Sequence, residues 1–365
     1  MKPDIQTDVA IIGAGSAGLY ALREVRRAKH SFVLIDRGPL GTTCARVGCM
    51  PSKVALHAGR LWSDRQLLAH IGGGKLDSLS LDRDQAWAHV RRLRDQFAGS
   101  GSKKAREAAG EWLLEGHARF IAPTVLEVSN EDKRQIVQAG AVIIATGSRP
   151  VVPEWLQSLG SRLITTDQLF ELTSLPDRLG VLGLGAIGLE MGLAMSRLGV
   201  AVTGADVAGT LAGIADPQVA ERALQIFGSE MDLWLGAAAN PSLTDEGVQL
   251  QAGDKQSNVD LLLAALGRRP NIDQLNLAEV GVPLDKRGLP LFDPATMQIG
   301  NLPVFIAGDA NASRPLMHEA VTEGAIAGYN AAHGLQVRFK RTVSLGIAFS
   351  DPDIVTVGTR FSELD

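Results

Sequence analysis

The stretch DVAIIGAGSAGLYALREVRRAKHSFVLID, residues 8–36, decides the fold. A β-branched apolar run leads into Gly13, Gly15 and Gly18 at G-x-G-x-x-G spacing. An amphipathic segment follows, and a second apolar run ends at Asp36. This grammar predicts strand, glycine turn, helix, strand. Gly13 permits the tight turn, Gly15 lets backbone approach a pyrophosphate, and Gly18 lets helix and strand pack closely. The helix opening at Ser16 offers unpaired N–H groups and a positive dipole end to an anion, while Asp36 can accept hydrogen bonds from ribose hydroxyls.

The same grammar returns in RLGVLGLGAIGLEMGLAMSRLGVAVTGAD, residues 178–206, with Gly183, Gly185, Gly188 and Asp206, and with Ile187 inside the turn. The acid follows the first glycine by 23 residues in both copies. One such match is weak. Glycines that serve packing alone are the plainer alternative, and two complete copies argue against it. Val207 and Ala208 after Asp206, with no arginine, favour NAD over its 2′-phosphorylated relative.

The flanking sequence is consistent with an α/β protein of two or three domains, since 365 residues with 45% hydrophobic content can bury substantial cores. The net charge of −4 provides no broad basic field for nucleic acid or anionic lipid. No apolar stretch approaches the ~18–20 residues that span a bilayer, and MKPDIQTD passes directly into a strand. The expectation is a soluble cytoplasmic chain whose partners are small molecules or proteins, with no nucleic acid and no membrane.

The two cysteines, Cys44 and Cys49, lie together in TTCARVGCMPSK. This excludes a disulfide-stapled scaffold, and structural zinc lacks its ligands, the nearest imidazole being His57. No metal is expected. On composition alone, two buried inert thiols would be the plainer reading.

Between the two copies, DQAWAHVRRLRDQF and SKKAREAAGEWLL are expected to be helices separated by a flexible GSGS. GHARFIAPTVLEV and IVQAGAVIIATG, around a polar turn, read as a strand meander that returns to the first sheet. After the second copy come a strand in VDLLLAALGRRPN, a buried strand in LPVFIAGD, a loop at Asp309 and a helix from about Leu316. The expected organisation is a discontinuous domain of residues 1–150 and 267–340, interrupted by residues 151–266 and followed by a short piece over 341–365.

GAGSAG, GTTCARVGCMPSK, ATGSRP, GLGAIGLE, LGRRPN, FIAGD and LMHEAVTEG occur in that order. In these segments the chain resembles the pyridine nucleotide-disulfide oxidoreductase family, in particular its dihydrolipoamide dehydrogenase branch. The resemblance implies two Rossmann-like domains, FAD-binding and NAD(P)-binding, with the second inserted in the first, then an α+β interface domain that makes a homodimer. It places the ADP half of FAD at Gly13, Gly15, Ser16, Gly18 and Asp36, next to Arg37. Thr42, Thr43, Ala118, Thr146, Gly147, Gly308, Asp309, Met317 and His318 are further implied FAD contacts. NAD is implied at Gly183, Gly185, Ile187, Gly188, Asp206 and Gly267.

For the cysteines the resemblance implies a redox disulfide. Cys49 would be the flavin-proximal sulfur, whose thiolate forms a charge-transfer complex, and Cys44 the interchange sulfur that meets substrate. A helix starting at Cys49 and running through Pro51 and Lys53 would favour the thiolate. Lys53, paired with Glu190, is implied near flavin N5, joining the two domains; two unrelated surface charges are the bland alternative. Ala186 stands where some disulfide reductases carry a gating tyrosine, which leans towards the lipoamide branch. A lipoamide-like disulfide, free or protein-bound, is the expected substrate. A glutathione-like disulfide is an alternative, mercuric reduction is less favoured, and a non-catalytic flavin redox sensor is the alternative from another class.

The family's C-terminal His-Pro acid/base motif has no match in the sequence. TVSLGIAFSDPDIVTVGTRFSELD resembles only the first strands of the interface domain, and the expectation is therefore a fragment of a longer protein with impaired disulfide exchange. His318 is expected to serve packing or hydrogen bonding and not to replace the missing base.

Overall fold

The structure, a computed structural model, describes residues 2–73, 79–334, 336–359 and 361–363. The chain divides into two compact units. The first comprises Met1–Arg46, Phe97–Arg149 and Arg269–Thr342; the second comprises Val47–Gln96, Pro150–Arg268 and Val343–Asp365. Residues 47–96 thus group by compactness with the second nucleotide-binding motif.

In the first unit, parallel strands run in the order Leu113–Glu115, Phe32–Asp36, Ile5–Ile12, Arg134–Ile144. The last is long enough for two tasks. Its start pairs antiparallel with Val125–Ser129, which pairs with the edge strand His117–Ala122; its end pairs parallel with Val304–Ile306. The central strands carry unbroken apolar runs over residues 9–12, 32–35 and 141–144, as covering both faces of a parallel sheet requires, and Ile11, Leu34 and Ile143 are wholly buried in register. Each such side chain contributes about 1.5–3 kcal/mol by leaving water.

Helix Ser16–Arg27 packs against helix Met317–His333. The contact depends on small residues. A Cβ at Gly324 would stand 2.1 Å from the Ala17 carbonyl oxygen, and one at Gly328 2.5 Å from that of Ala21.

The second unit has a parallel sheet in the order Asp232–Leu235, Ala201–Asp206, Arg178–Leu182, Leu261–Ala264, Leu163–Ile164. An antiparallel ribbon, Asn240–Thr244, Gly247–Ala252 and Lys255–Val259, lies in the same unit. Helix Cys49–Ser63 packs on helix Ala186–Arg197, with Gly59 so close that a Cβ would meet Arg197 Cβ at 2.9 Å. Strands Leu345–Ala348 and Ile354–Val357 form a hairpin.

One expectation fails. GSGS does not separate two helices, because Arg83–Ala109 is a single helix. Gly101 lies against the backbone of Gly41, and a Cβ on Gly41 would stand 2.7 Å from the Ala98 carbonyl oxygen. The glycines let a loop press against a helix, and tertiary packing overrides their weak helix propensity. Trp87, wholly buried on the same helix, stacks on Phe170 and donates to the Leu172 carbonyl at 2.9 Å. Among the described residues no helix is long and apolar enough to cross a membrane, and no group of three or more His, Cys, Asp or Glu side chains is placed to hold a metal ion.

Candidate dinucleotide sites and redox centre

The two glycine turns are nearly identical in their hydrogen bonds. Gly13 N–H donates to the Ile35 carbonyl at 2.7 Å, and Gly183 N–H to that of Ala205 at 2.9 Å. Asp36 Oδ2 accepts from Ala14 N–H at 2.6 Å and Oδ1 from Gly38 N–H at 2.7 Å; Asp206 Oδ2 accepts from Leu184 N–H at 2.6 Å and Oδ1 from Ala208 N–H at 2.8 Å. Each carboxylate is thereby fixed at the mouth of its turn. Both oxygens keep acceptor capacity for ligand hydroxyls.

The glycines within each turn separate into two kinds. Gly13 has φ +108° and Gly183 φ +88°, conformations that L side chains rarely adopt. At Gly18 and Gly188 a Cβ would fall 1.8 Å from the carbonyl oxygen of the first glycine of its own turn. Gly15 and Gly185 differ from these: their φ angles of −77° and −60° suit other residues, and a Cβ would meet nothing within 4 Å. Nothing in the folded chain requires glycine there. Close approach by a bound molecule is the remaining reason, and the helices starting at Ser16 and Ala186 have no side-chain cap for their first N–H groups.

The residues present therefore fit a dinucleotide in each unit. Ile187, Ala186 and Gly185 are exposed beside the second turn, and Gly267, at φ +96°, accepts Val151 N–H at 2.9 Å in the same unit. In the first unit the Thr146 hydroxyl is buried without a hydrogen-bond partner, next to Gly147 at φ +67°. Ser148 Oγ donates to Asp309 Oδ2 at 2.7 Å, fixing the acid that follows Gly308. Thr42, at φ +61°, caps the short helix Thr43–Val47 by accepting Ala45 N–H at 3.1 Å. Arg37 is exposed, and Ala118 is buried on the edge strand. Met317 and His318 are exposed at the start of their helix, where Leu316 supplies no side-chain cap.

Cys44 lies on Thr43–Val47, and Cys49 is the first residue of Cys49–Ser63; both are partly buried. A sulfur at a helix start gains thiolate character from the dipole. One turn further along, Lys53 Nζ meets Glu190 Oε2 at 2.6 Å. Glu190 is 5% exposed, and its other oxygen accepts the Phe349 backbone N–H at 3.0 Å. Lys53 and Glu190 are both in the second unit.

Sequence reasoning missed several residues that hold these groups. Glu323, wholly buried, accepts Gly308 N–H and Asn311 Nδ2 at 2.7 Å each, and Arg341 Nη2 at 2.8 Å. This carboxylate ties the Asp309 loop to helix Met317–His333. Arg149 grips Asp273 and Asn271 at 2.6 and 2.8 Å. Their partners are distant in sequence, although Glu323 and Arg149 both fall inside recognised segments.

The family model of the pyridine nucleotide-disulphide oxidoreductases matches residues 7–324. The chain belongs to this family. Dihydrolipoyl dehydrogenase of Staphylococcus aureus is 30% identical, aligning over 97% of this chain and 76% of its own length. Mercuric reductase of the same species is 29% identical over 96% of this chain and 64% of its own length. The structure of LpdA from Mycobacterium tuberculosis superimposes with a TM-score of 0.85 at 25% identity, covering 98% of this chain and 79% of that one. The HOCl-induced flavoprotein disulfide reductase RclA of Escherichia coli gives 0.82 at 22% identity, over 98% and 78% of the two chains. The family's fold is thus present here as two Rossmann-like units, the second interrupting the first in sequence.

Proposed function

We propose that this chain is an FAD-dependent oxidoreductase that passes electrons between NAD(H) and a redox disulfide formed by Cys44 and Cys49, acting on a disulfide of the lipoamide kind, free or protein-bound. The observation that carries this reading is the pair of glycine turns in which Gly15 and Gly185 are open while Gly18 and Gly188 are closed by the chain's own backbone. The first turn, with Asp36, Thr146 and Asp309, would hold FAD, and the second, with Asp206, would hold the nicotinamide cofactor. Bound flavin supplies two-electron chemistry between the nicotinamide and sulfur.

The chain's own groups do the rest. The helix start at Cys49 favours the thiolate, Lys53 supplies positive charge beside the flavin, and Glu190 fixes the ammonium in place. Asp206, followed by the exposed Val207 and by Ala208, supports NAD over NADP, because an acid accepts from a ribose hydroxyl and repels a 2′-phosphate. The domain reading assigns residues 1–150 and 267–340 to FAD and 151–266 to the nicotinamide cofactor. A cytoplasmic homodimer, as the resemblance implies, completes the reading.

The test is steady-state turnover of the FAD-loaded protein with NADH or NADPH against lipoamide, glutathione disulfide and Hg(II). Turnover with NADH and lipoamide is expected to exceed every other pairing. Preference for NADPH, or for glutathione disulfide or Hg(II), would replace the corresponding part of the proposal.

A further inference from the structure

The segment from Phe349 to Asp351 follows the first strand of the hairpin and carries none of the site residues expected from the sequence. It touches Lys53 and Glu190 and also the far ends of the helices that carry them. Phe349 N–H donates to Glu190 Oε1 at 3.0 Å, and its ring centroid lies 4.4 Å from Lys53 Nζ. Asp351 Oδ2 then lies 3.3 Å from Arg60 Nε and 3.9 Å from Arg197 Nη1, and its carbonyl accepts Arg197 Nη2 at 3.2 Å. Arg60 is on helix Cys49–Ser63, and Arg197 ends helix Ala186–Arg197.

Lys53 is thus held on two sides. Glu190 accepts a hydrogen bond from its ammonium, and the aromatic face of Phe349 shields one side of a side chain that remains 36% exposed. Glu190 is in turn oriented by a backbone donor, so that one oxygen is reserved for Lys53 and the other for Phe349. The Asp351 end of the segment is held by Arg60 and Arg197. An aliphatic residue at 349 would fill space. It would lack the negative quadrupole face that attracts a cation.

We propose that Phe349 is a positioning residue for the redox centre: its ring and backbone N–H hold the Lys53–Glu190 pair in one arrangement and so set the electrostatic field that Lys53 exerts on the flavin. This rests on the reading that Lys53 stands beside the flavin. With the ring removed, Lys53 gains rotamer freedom and water, its field is screened, and the negative charge of reduced flavin is less well stabilised.

The test uses the FAD-loaded protein and the variants Phe349→Leu, Phe349→Tyr and Lys53→Met. Brief acetic anhydride labelling, read by peptide mass spectrometry, reports access to the Lys53 amine, and dye equilibration reports the flavin midpoint potential. Phe349→Leu is expected to raise Lys53 labelling about threefold or more, the scale of one cation–π contact. The same variant lowers the potential by the equivalent of a ~threefold change in equilibrium constant, about 14 mV for a two-electron couple. Phe349→Tyr, which keeps the ring and the N–H, restores both.

A wild-type potential in Phe349→Leu, when Lys53→Met shifts it, overturns the proposal alone. Increased labelling with no shift in potential also overturns it, because the contact is then merely structural. An unchanged potential in Lys53→Met overturns the reading of Lys53 beside the flavin, and this inference with it.

Discussion

Replacing one glycine at a time in the second turn separates folding from binding. Gly185→Ala places a methyl group where the chain has no atom within 4 Å, at φ −60° and ψ −176°. Alanine is a poorer N-cap than glycine by about 0.5–1 kcal/mol, and it recovers about 0.4–1 kcal/mol by restricting the unfolded chain, so apoprotein stability should change by less than about 1 kcal/mol. Gly188→Ala places the same methyl group 1.8 Å from the Gly183 carbonyl oxygen, where ordinary contact begins at 3.4 Å. Helix Ala186–Arg197 must then shift, and overpacking of this kind costs about 1–3 kcal/mol or more.

For cofactor binding the effects reverse. A Cβ at position 185 displaces a phosphate from the helix N-terminus, and losing one charge-assisted hydrogen bond, about 1.5–3 kcal/mol, weakens NADH binding roughly 10- to 150-fold. Urea denaturation of the apoprotein and calorimetric titration with NADH give the two numbers. Unchanged NADH affinity in Gly185→Ala would refute the claim that this glycine is kept for a ligand. Wild-type stability in Gly188→Ala would refute the packing role of the third glycine.

The first unit and the cysteines give further expectations. Cys49→Ser should abolish the long-wavelength absorption that two-electron reduction of the FAD-loaded protein produces, which stopped-flow spectroscopy measures. Gly324→Ala puts a methyl group 2.1 Å from the Ala17 carbonyl oxygen and should cost about 2–3 kcal/mol, seen as a lower urea midpoint. Glu319 is buried, which by itself raises its pKa, yet Arg341 and Arg314 bring the carboxyl below its ordinary value of 4.5. A lowered folded-state pKa adds stability above the unfolded value, and that stability is lost as pH falls through the folded value. Glu319→Gln should therefore flatten the decline in stability on acidification below about pH 5, measured by urea denaturation across pH.

What the sequence disclosed followed from how local each signal is. Strand, turn, helix and acid lie within 29 residues in both copies, so Gly13 through Asp36 and Gly183 through Asp206 were legible without tertiary knowledge. The helix start at Cys49 and the meander 117–144 were legible for the same reason. The GSGS segment misled because its second glycine, Gly101, answers to the loop at Gly41, more than fifty residues away. Glu323 and Phe349 lie in segments the sequence did single out, but nothing local assigned them a role. Their partners, Gly308 and Arg341 in one case and Lys53 and Glu190 in the other, meet only once the chain has folded.

The two copies diverge most informatively two positions after the third glycine, at Tyr20 in the first and Glu190 in the second. Tyr20 is 36% exposed, Glu190 only 5%. Both sit in the second turn of a helix with the same start and length. The difference therefore comes from what covers each helix. Helix Ser16–Arg27 is covered by Met317–His333 through Ala17, Ala21, Gly324 and Gly328, an apolar contact that leaves Tyr20 at the surface. Helix Ala186–Arg197 is covered by Cys49–Ser63, which brings an ammonium, and a buried carboxylate is tolerable only with such a partner and a second donor. At this position a binding motif used twice thus carries a buried charge in only one copy, on the helix that packs against the cysteine-bearing segment.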